Sequence, residues 1–278
     1  MIGLVRSELR KFFTVRMSWG ISLAAFILGA ALTALSGWFM VHGSIPTATG
    51  ESLSLADSMD EASLARMIYT QSISMGYLLT FVMGIIVIGG EYRHKTITAT
   101  LLAGPRRGML ILAKLVGTAL ISIIIGLAHL AGSVLAGGLI LASGGHEVFP
   151  DPGQLGVVFL RVLLVLVLWG LIGLGLGVVI PNQVVALFVG VAIVWIVEPI
   201  VGVFIGMTSW GETLATYLPA QVSLSTVDAY SGLSGSAADA LGIAGPTLTW
   251  WVAALVLAAY AAVMSIIGWF LTHRRDVS

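Results

Sequence analysis

The sequence predicts an all-α polytopic membrane protein with six transmembrane helices, preceded by an N-terminal amphipathic helix at the membrane interface. Of its 278 residues, 58% are hydrophobic and only 9% are charged, whereas soluble domains carry about 25% charged residues. So few charges could not cover the surface of a chain this long in water, so a soluble enzyme is excluded. The thirteen basic and thirteen acidic residues cancel, which argues against a protein that binds nucleic acid.

The first sixteen residues predict the interfacial helix. Four apolar residues share one helical face and three basic residues lie elsewhere: Val5, Leu9, Phe12 and Phe13, against Arg6, Arg10 and Lys11. A helix of this kind lies in the membrane interface with its basic face toward anionic headgroups. The alternative is a basic flank that only sets the topology. The apolar stretch that follows is too long for the hydrophobic region of a signal peptide.

Six apolar stretches reach the roughly 20 residues that a bilayer-spanning helix needs. They are Met17–Val41, Met67–Gly90, Leu110–Ala142, Gly156–Ile180, Gln183–Met207 and Thr249–Leu271. Glycines within these stretches predict close contacts between helices. The segment 208–248 carries few charges, which favours short outer re-entrant or capping helices over a flexible loop.

The basic residues predict the orientation. All of the thirteen except Arg66 and Arg161 lie near the N-terminus, the C-terminus or the connection between the second and third stretches. By the positive-inside rule these segments are cytoplasmic. We therefore expect a multi-pass protein of the plasma (cytoplasmic) membrane with both termini in the cytoplasm.

The cytoplasmic segment 91–109 is the most informative part of the chain. It is rich in charge, compatible with a helix from Ile97 to Ala103, and interrupted by Gly104-Pro105. These properties are typical of a docking element. The positive-inside rule alone explains the basic residues, but it does not explain Glu91, which favours docking or an ion pair with Arg93 or Lys95.

The run Glu91-Tyr92-Arg93-x-x-Thr96 after the second stretch resembles the ABC-2 type permease family. The six-span plan, the N-terminal helix and the long last outer segment are also similar, so the likeness covers essentially the whole chain. Lys95 stands where relatives often have Gly.

The resemblance implies that the segment couples the chain to a separate P-loop ATP-binding subunit. The implied coupling residues are Glu91, Tyr92, Arg93, His94, Lys95, Thr96, Thr98, Leu101, Arg106 and Arg107. It further implies a working unit of two ATPases and two permeases, either a homodimer or a pair of related chains. The second and fifth spans of each permease would line the pathway.

No nucleotide site is expected in this chain. It lacks Gly-x-x-x-x-Gly-Lys-Ser/Thr, the loop that cradles ATP phosphates, so ATP and Mg²⁺ would be bound by the partner subunit. The chain has no cysteine, and its histidines form no cluster with ligand spacing. We expect no metal, no cofactor and no enzymatic activity in the chain itself.

Glu198 lies well inside the fifth stretch, where a charged side chain is costly and therefore a candidate functional residue. Pro199 removes a helical hydrogen bond and predicts a kink. Helical rise puts Arg161 within about one turn of the same depth, so a structural ion pair between Arg161 and Glu198 is as plausible as a pathway role for Glu198 and Pro199.

Polar residues also follow one side of the second stretch: Thr70, Gln71, Ser74 and Tyr77. They could line a translocation pathway, or they could form hydrogen bonds between helices, as such side chains commonly do in bilayers.

The sequence thus predicts the membrane subunit of an ABC exporter for an apolar or amphipathic substrate such as a drug, an antibiotic or a lipid-like molecule. The first alternative is a proton-coupled secondary transporter with Glu198 as its proton site. The second is a non-transporting sensor or immunity subunit that still binds an ATPase. An intramembrane enzyme is disfavoured because catalytic groups do not cluster at one depth.

Overall fold

A computed structural model describes residues 2–46, 52–54, 56–93, 107–208, 210–230, 232 and 247–274. These residues are almost entirely helical. The helices are α1 Ile2–Thr14, α2 Arg16–His42, α3 Glu61–Thr70, α4 Ile73–Arg93, α5 Arg107–Ser143, α6 Pro152–Val179, α7 Gln183–Ala192, α8 Glu198–Gly206, α9 Gly211–Ala215, α10 Pro219–Thr226 and α11 Trp250–Arg274. A short antiparallel pair, β1 Ser44–Pro46 and β2 Ser52–Ser54, and a 3₁₀ turn, Ala56–Ser58, join α2 to α3.

Within the part of the chain that the structure describes, six helical stretches are long and apolar enough to cross a membrane, which confirms the predicted fold class. We number them spans one to six: Arg16–His42, Glu61–Arg93, Gly108–Ser143, Pro152–Val179, Gln183–Gly206 and Trp250–Leu271. Span two consists of α3 and α4 and begins six residues before the predicted Met67, at Glu61. The physical reason is the N-cap Asp60, whose side chain accepts a hydrogen bond from the Ser63 N–H at 2.9 Å.

Span five is not a uniform α-helix. It comprises α7, a π-helical turn at Ile193–Val197 and α8. The Glu198 N–H bonds to the carbonyl of Ile193, five residues back. Pro199, the next residue, cannot donate an N–H at all. The irregularity expected at Pro199 therefore takes the form of a π turn directly before it.

The N-terminal helix predicted by the apolar spacing is present as α1. Its buried residues are Glu8 and Phe12, whereas 46% of Phe13 is exposed. The two phenylalanines thus separate, because consecutive residues on a helix point about 100° apart. The buried face of α1 lies against span three, where Gly117 faces Glu8.

Glycines bring the backbones of neighbouring spans into contact. Gly84 of span two faces the carbonyl of Gly170 in span four, and Gly173 faces the carbonyl of Phe81. Gly132 of span three faces the carbonyl of Phe26 in span one in the same way. Small residues at such positions let bilayer helices approach closely, so spans two and four form the centre of the bundle.

The two ends of the bundle are distinguished by their ion pairs. We call the end that holds Lys11, Glu91 and Lys114 the base. The opposite end, the top, holds two pairs: His146 with Glu61 at 2.9 Å and Arg66 with Asp228 at 3.1 Å. The helices α9 and α10 also lie at the top, because α9 follows the end of span five and Asp228 comes two residues after α10.

Substitution of Gly173 by alanine tests the backbone contact between spans two and four. We expect Gly173→Ala to lower the melting temperature of the purified protein in detergent, since overpacking a filled core costs about 1–3 kcal/mol. The control is Gly156→Ala in the same span, where an added methyl group meets nothing within 4 Å. Equal melting temperatures for the two variants would contradict the contact.

Candidate functional site

Four charged side chains meet at the base of the bundle. Glu91 Oε1, near the end of span two, accepts hydrogen bonds from Lys114 Nζ at 2.5 Å and from Lys11 Nζ at 2.8 Å. Lys11 Nζ also donates to Glu8 Oε1 at 2.7 Å, and Lys114 lies 3.5 Å from the same carboxylate. We call these four residues the base cluster. It joins three elements: α1, span two and span three.

The base cluster is mostly buried. Glu8, Glu91 and Lys114 expose about a tenth of their side chains or less, whereas Lys11 exposes 48%. Burial lowers the pKa of the Lys11 ammonium, but hydrogen bonds with Glu8 and Glu91 outweigh this and leave that pKa above its ordinary value. Two carboxylates and two ammonium groups balance, as buried charges require.

The sequence indicated that Glu91 has a special role, but the pairing with Arg93 that it suggested is wrong. The structure pairs Glu91 with Lys11 and Lys114, not with Arg93. Two residues along a helix lie about 200° apart around its axis, so the exposed Arg93 projects away from Glu91. Lys95, the other suggested partner, lies outside the described residues. Glu8 was missed, although its spacing from Lys11 is that of a helical ion pair.

The described parts of the coupling segment 91–109 are its two ends, residues 91–93 and 107–109. Tyr92 is partly buried against the apolar cluster of Ile88, Leu174 and Val178, which joins spans two and four. Six of the predicted coupling residues lie outside the described residues: His94, Lys95, Thr96, Thr98, Leu101 and Arg106. Arg107 is the first residue of α5. The coupling role of all these residues stays a prediction.

Glu198 and Arg161 do not form the ion pair that equal depth allowed. The buried Glu198 carboxylate accepts a hydrogen bond from the backbone N–H of Ala220 in α10. The Arg161 guanidinium lies over the ring of Trp250, 4.3 Å from its centroid, an attractive cation–π arrangement. Similar depth did not produce an ion pair, because the Glu198 carboxylate binds α10 and the Arg161 guanidinium binds the first turn of span six.

The polar residues of span two are largely engaged within the chain. Thr70 Oγ1 donates to the carbonyl of Arg66 at 2.9 Å, and Gln71 Nε2 contacts Met40 Sδ at 3.8 Å. Tyr77 is buried and stacks on Trp169 of span four, with 4.5 Å between ring centroids.

These contacts favour the packing interpretation for Thr70 and Tyr77, while Ser74 and Gln71 are partly exposed. Their pathway role stays a prediction.

A second polar network crosses the bundle, and no sequence motif indicated it. Ser72 Oγ lies 3.0 Å from Thr33 Oγ1, 2.9 Å from Ser133 Oγ and 3.3 Å from His129 Nε2. All four residues are buried and come from spans one, two and three. Such hydrogen bonds hold helices together in a bilayer.

The fold defines a class: a multi-pass helical membrane protein. A family model described as "ABC-2 family transporter protein" matches residues 2–277. The chain therefore belongs to the ABC-2 family of transporter proteins, as the resemblance implied. No curated protein matches the chain significantly.

A double-mutant cycle tests the pairing within the base cluster. Removing one partner of a buried ion pair costs about 3–5 kcal/mol, so Glu91→Gln and Lys114→Gln should each lower the free energy of unfolding markedly. We expect the double variant to be less unstable than the sum of the two, with a coupling of about 0.5–3 kcal/mol.

The matched cycle replaces Lys114→Gln by Lys11→Gln. Because Lys11 is half exposed, its coupling to Glu91 should approach the surface value of about 0–1 kcal/mol. Additive effects of Glu91→Gln and Lys114→Gln would show that their contact contributes nothing to stability.

Proposed function

We propose that the chain is the membrane-spanning permease subunit of an ABC exporter. ATP and Mg²⁺ would be bound by a separate P-loop ATP-binding subunit, and this chain would convert the closure of that subunit into movement of its spans. ABC-2 permeases generally work with such a subunit. In the expected orientation the base of the bundle faces the cytoplasm, at the plasma membrane.

The observation that carries the proposal is the base cluster. Segment 91–109 begins at Glu91, whose carboxylate binds Lys114 on span three and Lys11 on α1. A force on the segment would therefore reach spans two and three and the interfacial helix together. A positively charged flank that only sets topology would not require a buried carboxylate between two ammonium groups, because burial of each charge is costly.

The base cluster also favours a role for α1 in coupling. Glu8 contacts Lys114 at the start of span three, and Lys11 pairs with Glu91 near the end of span two, so the last two turns of α1 are tied to both spans. The opposite face of α1 carries exposed residues, including Arg6 and Arg10. That face is free to contact anionic headgroups or the ATP-binding subunit.

A second permease copy, either identical or related, would complete the pathway. Large apolar side chains are exposed along the whole length of span five: Val184, Phe188, Trp195, Ile196, Val203 and Phe204. We propose that part of this surface faces the second copy and part faces lipid. Among the pathway candidates of span two, Ser74 and Gln71 keep exposed surface.

The substrate class follows from the low charge of the spans and from the family. We propose an apolar or amphipathic molecule, such as a drug, an antibiotic or a lipid-like compound. The main alternative is a proton-coupled transporter with Glu198 as its proton site, and it predicts transport without an ATPase. A sensor or immunity subunit would bind the ATPase but move nothing.

Purification in mild detergent tests the partnership. We expect the tagged chain to retain a P-loop subunit, identified by mass spectrometry, whose ATP hydrolysis changes when the permease is removed. Arg93→Glu reverses the exposed charge beside Glu91, and we expect it to lower recovery of that subunit about tenfold, or roughly 1.4 kcal/mol of binding free energy.

The matched control is Glu147→Lys, a reversal of equal size at an exposed residue of the top, which should leave recovery unchanged. Equal recovery with Arg93→Glu would remove the docking role of this segment. The absence of any P-loop subunit, together with transport driven by a proton gradient alone, would favour the secondary transporter.

A further inference from the structure

Helix α10 at the top of the bundle begins without a cap of its own. Its N-cap residue is Leu218, which has no polar side chain, and its first residue is Pro219. The first free N–H groups of a helix need an acceptor from elsewhere. The Glu198 carboxylate supplies one, for the N–H of Ala220, across 22 residues of sequence. A negative charge at this position also complements the helix dipole.

Glu198 is therefore a cap supplied by a different helix. Within span five it is the first residue after the π turn Ile193–Val197. It is 8% exposed, so water can do little to replace the bond to Ala220.

Residues in α10 and next to it also bind three other spans. Trp169 Nε1 of span four donates to Ser223 Oγ at 2.8 Å, and Ser223 Oγ donates to the carbonyl of Pro219 at 2.7 Å. Tyr260 of span six donates to the carbonyl of Tyr217 at 3.2 Å. Arg66 of span two pairs with Asp228, two residues after the end of α10. The end of span five is thus joined through Glu198 to a helix that the other spans hold in place.

The π turn gives the contact between Glu198 of span five and α10 a way to open. A π turn holds one more residue than an α turn, and such turns are frequent at functional sites. If the turn changed to regular α-helix, the register would shift by one residue and α8 would rotate by about 100°. That rotation would carry the Glu198 carboxylate away from the N–H of Ala220. Pro199 already leaves one backbone bond unmade at this point.

We propose that Glu198 is a positioning residue of the transport cycle that closes the top of the bundle by capping α10, and that the cap is released when span five changes register at its π turn. This inference rests on the proposed function, because the register change would be driven by the ATP-binding subunit. It gives Glu198 a role distinct from a pathway lining, a proton site or an ion pair with Arg161.

A pair of introduced cysteines tests the contact between span five and α10 directly, because the chain has no cysteine of its own. The Cβ position of Gly202, one turn after Glu198, lies 3.2 Å from Leu218 Cδ1. We would introduce Gly202→Cys together with Leu218→Cys and measure the rate at which a short bifunctional methanethiosulfonate cross-links them. We call this product the span-five cross-link. The control pair is Gly37→Cys with Ile140→Cys, which joins spans one and three at a Cβ separation of 3.8 Å, within disulfide range.

The first arm uses the full chain in lipid vesicles without any ATPase. Glu198→Leu removes the acceptor, and we expect the span-five cross-link to form about fivefold more slowly, the effect of losing a helix cap. Glu198→Gln keeps an oxygen that can accept from Ala220 and should retain most of the rate. The control pair should be unaffected by both. Equal span-five rates in Glu198→Leu and the parent would overturn the cap.

The second arm uses the complex with its P-loop ATPase and adds ATP with vanadate, which arrests the nucleotide-bound state. We expect the span-five cross-link to slow by a similar factor while the control pair keeps its rate. If ATP and vanadate leave the rate of the span-five cross-link unchanged in a complex that hydrolyses ATP, the release step is overturned and Glu198 is a static structural residue. Because the first arm needs no ATPase, a failure of the proposed function cannot be confused with a failure of the cap.

Discussion

The cost of burying charge in a helical membrane bundle governs how this molecule is arranged. An ionised side chain removed from water must find compensating charge or hydrogen bonds nearby. Glu91 and Glu8 at the base meet Lys11 and Lys114, and Glu198 meets a backbone N–H group. In both places, the base cluster and the Glu198–Ala220 bond, the partners come from elements that are far apart in sequence. The few charges therefore act as junctions, one at the base and one within span five.

Between these junctions the bundle is held by close backbone contact. Spans two and four approach so closely at Gly84 and Gly173 that each glycine faces a carbonyl oxygen, and large aromatic side chains fill the space beside them. Tyr77 and Phe81 both contact Trp169. A rigid centre of this kind can transmit movement from base to top, because packed helices shift as units rather than deform continuously.

Some of the site could be predicted from the sequence, and the reason is local. Glu91 stood out because topology does not explain an acid among basic residues, and Glu198 stood out because a carboxylate inside an apolar span is costly. Their partners could not be predicted. Helical geometry excludes Arg93 as a partner of Glu91 but does not identify Lys11. The sequence near Ala220 does not identify its N–H as the donor to Glu198, since every non-proline residue carries a backbone N–H.

Six spans, a helical N-terminus, the ABC-2 resemblance and the unusual positions of Glu91 and Glu198 could be read from the amino-acid sequence, because each depends on length, hydropathy or local spacing. The folded structure was needed to show that Glu91 is shared between α1 and span three, and that Glu198 caps α10 while Arg161 stacks on Trp250. Which side chains meet depends on the rotation of each helix about its axis. Packing against the neighbouring helices fixes that rotation, and hydropathy along one span does not record it.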